Sequence, residues 1–209
     1  MIIDISPPLN VSLAVWPGDT PLSREILLEI ARGASVTLST LRATVHLGAH
    51  ADAPSHYGAG AADIASRSLV YYIGACEVMR VPVARGEVIT PAMLPRAPTA
   101  PRVLFATGTF PDPGEFNQNF ASFAPALVDH LHAAGVILAG IDTPSVDPFS
   151  SKDLAAHKRF LALDMAILEG LVLDRVAEGQ YELIALPLRL EGFDASPVRA
   201  VLRPSAGAR

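Results

Sequence analysis

Cysteine is all but missing from this 209-residue chain, which contains Cys76 alone. A single thiol excludes an internal disulfide and a Cys-x-x-Cys metal or redox site. It lies in the apolar run Tyr-Tyr-Ile-Gly-Ala-Cys-Glu-Val-Met, which predicts a buried structural thiol. Charge is scarce too: 18% of the residues are charged against 50% hydrophobic, and a disordered chain is excluded. Basic residues are the minority, 16 Lys plus Arg against 21 Asp plus Glu, for a net charge of −5. A nucleic-acid partner requires the opposite balance to displace counterions, so none is expected. No apolar run reaches the ~20 residues of a membrane-spanning helix. The opening Met-Ile-Ile-Asp-Ile-Ser-Pro-Pro lacks the basic start and long apolar run of a signal peptide. A soluble, cytoplasmic protein without a membrane partner is the expectation. Also lacking are a Gly-x-Ser-x-Gly elbow, a histidine near Cys76 in sequence and a glycine-rich phosphate loop.

What the chain does contain is organised as one unit. There is no internal repeat or long linker, and one domain spanning residues 1–209 is expected. Alternation over 24–31 and 35–46 predicts a hairpin turning at Gly33. Residues 70–83 hold strand-like runs, and Pro91 to Pro101 reads as a loop. Residues 103–107 and 136–141 are short continuous apolar runs, the mark of strands covered on both faces. Between them, residues 123–135 predict a helix that Gly135 closes. Strand, helix, strand implies a parallel pair with a right-handed crossover. Residues 151–162 predict a second helix with Ser151 as N-cap. A short strand at 165–168, a further helix over 170–179 and a late strand over 181–190 complete the reading. Hairpin and crossover together predict an α/β fold with a large mixed sheet, curled into a partial barrel.

The segment richest in chemistry is His46-Leu-Gly-Ala-His50-Ala-Asp52-Ala-Pro-Ser-His56, with three of the six histidines. Neutral imidazole and carboxylate are the usual protein ligands of zinc and related ions. A straight helix would put Asp52 about 200° around the axis from His50. A straight strand would separate His46 from His50 by about 13 Å. A strand bent at Gly48 satisfies both limits, bringing His46 and His50 together with Asp52 in reach of the same ion. The bland alternative is a polar sheet edge, and four ligand-type residues in so apolar a neighbourhood weigh against it.

The same segment, His-x-Gly-Ala-His-x-Asp-Ala-Pro-x-His, resembles the signature of the cyclase-like metal hydrolases in their kynurenine formamidase form. The resemblance extends over nearly the whole chain, through Val15-Trp-Pro-Gly-Asp-Thr-Pro21, Gly140-Ile-Asp-Thr-Pro-Ser-Val-Asp147, Ile167-Leu-Glu-Gly-Leu171, Ala185-Leu-Pro-Leu188 and Pro197-Val-Arg-Ala200. It implies a swivelling β/β/α fold, a homodimer and two divalent metal ions per subunit. Zinc suits the donors best, with manganese, cobalt or iron also admitted. It implies that His46, His50 and Asp52 hold one ion, that Asp52 bridges to a second, and that His157 and Glu169 supply that side. His157 and Glu169 are twelve residues apart, about 18 Å on one helix, so they must sit on separate elements.

The implied reaction is hydrolysis of N-formyl-L-kynurenine to formate and L-kynurenine in tryptophan degradation, with metal-activated water as nucleophile. His56 becomes the acid–base group, its alternative being a hydrogen-bonding role around the metals. Trp16, the only tryptophan, becomes a stacking partner for the substrate ring, its alternative being an ordinary core position. His130 and His132, two apart on the first helix, cannot face one ion. Asp142 and Asp147 could line a site, and turn chemistry explains them equally well. Rival readings are a related amide, lactam or ester hydrolase, a non-catalytic metal- or ligand-binding module, and a structural oligomer component.

Overall fold

Short apolar runs divided by Pro and Gly make many brief strands and few helices. A computed structural model describes residues 1–205; residues 206–209, the end of the expected domain, lie outside the described residues. In chain order the strands are β1 (Ile3–Asp4), β2 (Ser23–Leu28), β3 (Leu38–Arg42), β4 (His50–Asp52), β5 (Ile73–Arg80), β6 (Val88–Ile89) and β7 (Arg102–Ala106). They continue with β8 (Ser122–Phe123), β9 (Leu138–Ile141), β10 (Ala166–Glu169), β11 (Gly179–Ile184), β12 (Ala195–Pro197) and β13 (Val201–Pro204). Helix α1 (Pro125–Ala133) precedes β9, and α2 (Ala155–Ala162) precedes β10.

Nine strands form one curled sheet in the order β1-β13-β11-β5-β7-β9-β10-β4-β12. The pairs β5–β7, β7–β9 and β9–β10 are parallel, and every other pair in this sheet is antiparallel. The mixed α/β sheet expected from the sequence is therefore present. Its central strands are covered on both faces, as their unbroken apolar character requires. On β7, Val103 and Phe105 point toward α1 and α2, where Leu127, Leu131, Ala156 and Phe160 also pack. Leu104 and Ala106 point the other way, against Tyr72, Leu171, Leu173 and Leu183. Cys76 is buried on this second face, and burial pushes its thiol pKa up. It is an inert packing residue. Among the described residues no helix is long and apolar enough to cross a membrane.

Four local expectations need correction. Residues 170–179 form no helix, because Leu171 and Leu173 are both buried and a helix would turn them about 200° apart. Instead the Leu171 and Val172 N–H groups donate to the Ile141 and Ile5 carbonyls, at 3.2 and 2.8 Å, and lay the segment across the sheet end. The second helix starts at Ala155, and Ser151 does not cap it; Asp147 accepts from the Ala156 and His157 N–H groups, both at 3.0 Å. The hairpin at Gly33 forms, but its second strand ends at Arg42 and both strands stand exposed outside the main sheet. The late strand likewise stops at Ile184, before Pro187.

Two glycines fix how closely the chain packs at the end of β10. Gly48 bends with φ +58°, and a Cβ there would lie 2.9 Å from Leu9 Cδ2. Gly170 has φ +66°, and a Cβ there would lie 2.2 Å from the Gly48 carbonyl oxygen. Gly170→Ala should therefore destabilise the protein by more than the ~1–2 kcal/mol of left-handed backbone alone. A urea titration within ~0.5 kcal/mol of the unaltered protein would contradict this close approach.

Candidate metal centre

The bend at Gly48 delivers His50 to β4 with its ring orientation already set. His50 Nδ1–H donates to the Gly48 carbonyl at 2.9 Å, leaving Nε2 to point inward. Strand β4 pairs antiparallel with β10, with His50 opposite Glu169 and Asp52 opposite Ile167. Period-two alternation then puts His50, Asp52 and Glu169 on one face, the face that carries Ile167 and the helices. Helix α2 packs on that face through Ala156 and Phe160, so His157 between them comes from above. Asp147 caps the helix and also accepts from His157 Nδ1 at 2.7 Å, turning Nε2 toward the strands. Glu169 is steadied by the Val146 N–H, which donates to its Oε1 at 2.7 Å.

The five side chains singled out as ligands come together, although 105 residues separate Asp52 from His157. Asp52 Oδ1 lies 3.1 Å from His46 Nδ1 and 3.4 Å from His50 Nε2. Glu169 Oε2 lies 3.3 Å from His50 Nε2. On the other side, His157 Nε2 is 3.3 Å from Asp52 Oδ2 and 3.5 Å from Glu169 Oε1. Each carboxylate thus turns one oxygen to the His46–His50 side and the other to His157.

These distances fit a divalent metal. Ligand bonds of about 2.0–2.1 Å in a tetrahedron give ligand–ligand edges of about 3.3–3.4 Å. His50 Nε2 and Asp52 Oδ1 are also buried without a hydrogen-bond partner. Such atoms are costly unless something else satisfies them. Nitrogen and oxygen donors gathered in this way are the chemistry of a bound divalent metal ion.

The charges of the cluster depend on one another. Burial opposes the charged form of His50, yet the Asp52 and Glu169 carboxylates outweigh it and push its pKa up to about 10. The ring of His157 is likewise raised against burial, by Asp147, Asp52 and Glu169. Asp52 is held well below the usual carboxylate range: burial would raise it, but His157, His46 and His50 prevail. His56 behaves differently, because burial dominates and lowers its pKa despite nearby Asp52. It lies just after the ligand strand in a short 3₁₀ turn, its ring centroid 4.2 Å from that of His46 and 6.0 Å from that of His157.

The cluster opens into a cavity of about 530 Å³. His46, His50, His56, His157 and Glu169 form its polar floor, and Leu13, Val15, Trp16, Phe110 and Phe116 give it an apolar wall. Trp16 is partly buried rather than a core residue. Its ring sits 4.8 Å from that of Phe149 and 5.5 Å from that of Phe116. His130 and His132 are exposed on α1 and remain apart from the cluster.

Sequence reasoning left the remaining acidic residues unassigned. Asp147 could have been found as an N-cap residue type shortly before a helix that carries a histidine. Asp194, 2.9 Å from His46 Nε2 and 3.4 Å from His56 Nδ1, stands in no ligand spacing and gave no signal. Asp142 accepts from Thr107 Oγ1 at 2.6 Å and from the Thr107 and Gly108 N–H groups at 2.8 Å, which anchors the turn before Phe110.

Comparison with known proteins agrees with this arrangement. One similar solved structure, 26% identical with TM-score 0.82, is of a potential metal-dependent hydrolase with cyclase activity; the match covers 97% of this chain and 96% of that one. A second is a predicted metal-dependent hydrolase from Bacillus stearothermophilus, also 26% identical, covering 97% of each chain with TM-score 0.80. Isatin hydrolase A from Labrenzia aggregata shares the fold at 19% identity, with TM-score 0.81 over 97% of this chain and 93% of that one. The Cyclase family model matches residues 3–148, so the chain belongs to the Cyclase family.

Proposed function

We propose that this protein is a metal-dependent arylformamidase, hydrolysing N-formyl-L-kynurenine to L-kynurenine and formate in tryptophan degradation. The observation that carries the reading is the buried, incompletely partnered donor set opening onto an aromatic-walled cavity. The resemblance of the His46–His56 segment and the Trp16 loop to kynurenine formamidases supports the aryl formamide specifically. Structural neighbours that hydrolyse isatin break a C–N bond between a carbonyl and an aryl nitrogen, the bond type proposed here. The proposal includes a homodimer.

We assign two divalent ions, zinc by donor type, to the cluster. His46, His50 and Asp52 would hold one, His157 the other, and Asp52 and Glu169 both. When bound, such ions acidify water toward neutrality and stabilise negative charge developing on a carbonyl oxygen. The chain's own residues supply position and proton transfer. His56 has Nδ1 3.4 Å from Asp194 Oδ2, and in this reading Nε2 is the nitrogen that exchanges a proton with the substrate. With its pKa lowered by burial, the ring rests neutral and is able to accept a proton. Nε2 takes the proton released when water adds to the formyl carbon, then returns it to the aryl nitrogen as the C–N bond breaks. Formate and the free aryl amine leave. The ring of that amine lies against Trp16, where stacking contributes about 0.5–1.5 kcal/mol.

The direct test combines metal analysis with hydrolysis of N-formyl-L-kynurenine, isatin and an aryl ester by one preparation. Turnover of the formamide well above the other two is expected; preferential lactam or ester cleavage would replace the substrate assignment. Replacing His56→Asn should lower kcat by roughly 10²–10⁴-fold while metal content stays the same. Metal loss would make His56 a ligand instead.

Ligand nitrogens must be deprotonated, and His50 and His157 are both raised in the metal-free protein. Metal uptake at pH 7 should therefore release protons, and affinity should increase with pH. Zinc titrated into weakly buffered metal-free protein with an indicator dye would record the release. Zinc binding with no proton release would exclude these rings as ligands. Finally, Trp16→Ala should reduce kcat/KM several-fold more for N-formyl-L-kynurenine than for an aliphatic formamide. Equal losses would mean that Trp16 supports the loop and does not recognise the ring.

A further inference from the structure

One acidic side chain at the cavity rim touches both the proposed metal-binding and the proposed proton-transfer machinery. Asp194 Oδ2 is 2.9 Å from His46 Nε2 and 3.4 Å from His56 Nδ1, and the two ring centroids lie 4.2 Å apart with the rings tilted 44° to each other. We propose that Asp194 is a positioning residue that sets the tautomers of His46 and His56 together. The inference rests on the metal-hydrolase reading above.

The ring of His46 lies between two carboxylates. Its Nδ1 is 3.1 Å from Asp52 Oδ1, and its Nε2 faces Asp194. A neutral imidazole has one proton to donate, and the two carboxylates compete for it. If Asp52 took it, Nδ1 would carry hydrogen and could not bind a metal. Asp194 takes it on Nε2 and leaves the Nδ1 lone pair directed at the cluster. The same arrangement is made for His157 by Asp147 and for His50 by the Gly48 carbonyl. All three rings thus have an acceptor on the nitrogen that faces away from the cluster, the carboxylate–histidine–metal pattern. Asp194 differs from the other two acceptors in serving a second ring. By attracting the His56 proton to Nδ1, it leaves Nε2 as the nitrogen that exchanges a proton with substrate.

The backbone holds Asp194 in place for this task. It immediately precedes β12, and its carbonyl accepts from the Ala53 N–H at 2.9 Å. The Phe193 carbonyl accepts from the Ile64 N–H at 3.0 Å, and the Gly192 N–H donates to Asp63 Oδ2 at 2.6 Å. The 192–194 turn is therefore tied at three points to the segment containing His56, so carboxylate and ring keep their spacing.

The test uses Asp194→Asn and Asp194→Glu in the full chain. Zinc affinity is read by competition with a chromophoric chelator, histidine tautomers by ¹⁵N NMR, and kcat and KM on N-formyl-L-kynurenine at saturating zinc. Asp194→Asn should weaken zinc binding about 10–100-fold. It should also shift the His56 nitrogen signals, and lower kcat with little change in KM. Asp194→Glu, which keeps the carboxylate one methylene away, should fall between and serves alone if the amide variant does not fold. In a His56→Asn background, Asp194→Asn should lower kcat no further at saturating zinc. Unchanged zinc affinity, unchanged His56 signals, or kcat losses that multiply in the double variant would each overturn the proposal. If the unaltered protein binds zinc but hydrolyses no formamide, the substrate reading fails, while the affinity and NMR measurements still decide the role of Asp194.

Discussion

Two buried carboxylates, Asp52 and Glu169, confront three imidazoles at the end of a largely apolar sheet, and the local structure is arranged around them. An unpaired carboxylate in such surroundings is strongly disfavoured, and the penalty is relieved only by opposite charge and hydrogen bonding. His46, His50 and His157 supply the charge in the metal-free protein. The Val146 N–H supplies one hydrogen bond to Glu169. The outer nitrogen of each ring meets its own oxygen acceptor: the carboxylates of Asp194 and Asp147, and the Gly48 carbonyl. A shell of this kind orients the inner nitrogens toward the space between the carboxylates. Electrostatics and ring geometry therefore favour the same occupant, a divalent cation.

Topology makes that confrontation possible. Strand β4 is only three residues long, yet it lies between β10 and β12, with antiparallel partners on both sides. Cross-strand pairing places His50 against Glu169, and alternation keeps Asp52 on the same face. The helix that contributes His157 packs on this face because its apolar side, Ala156 and Phe160, belongs to the same core as Ile167. Core packing thus aims His157 at the carboxylates. The glycines at 48 and 170 permit the backbone contact that brings the two strand ends together.

The cavity combines this polar floor with an apolar wall. Trp16 and Phe116 of this wall pack against each other and against Phe120 and Phe149, mostly edge-to-face, so the wall is braced by the aromatic side chains around it. Phe110 and Phe116 come from the segment that follows β7, and Pro144 and Ser145 from the loop after β9. The parallel strands therefore contribute to both wall and floor, as is common where strand ends meet a crevice.

The amino-acid sequence determined the local chemistry. The spacing of His46, His50 and Asp52, with Gly48 between them, already required a bend, because neither a straight helix nor a straight strand brings three ligand-type side chains together; the bend lies before β4, and His46 stands outside the strand. Continuous apolar runs identified the buried parallel strands, and Gly135 the end of α1. The family resemblance put His157 and Glu169 beside these residues before any fold was known. Only tertiary structure decided the rest. The segment after Gly170 reads as a helix locally, but its leucines are buried by crossing the sheet end, and that demand outweighs propensity. Asp194 has no distinguishing spacing, since a carboxylate acquires its role from the ring it meets. Asp194 meets His46 148 residues away, and no local pattern encodes a contact over that separation.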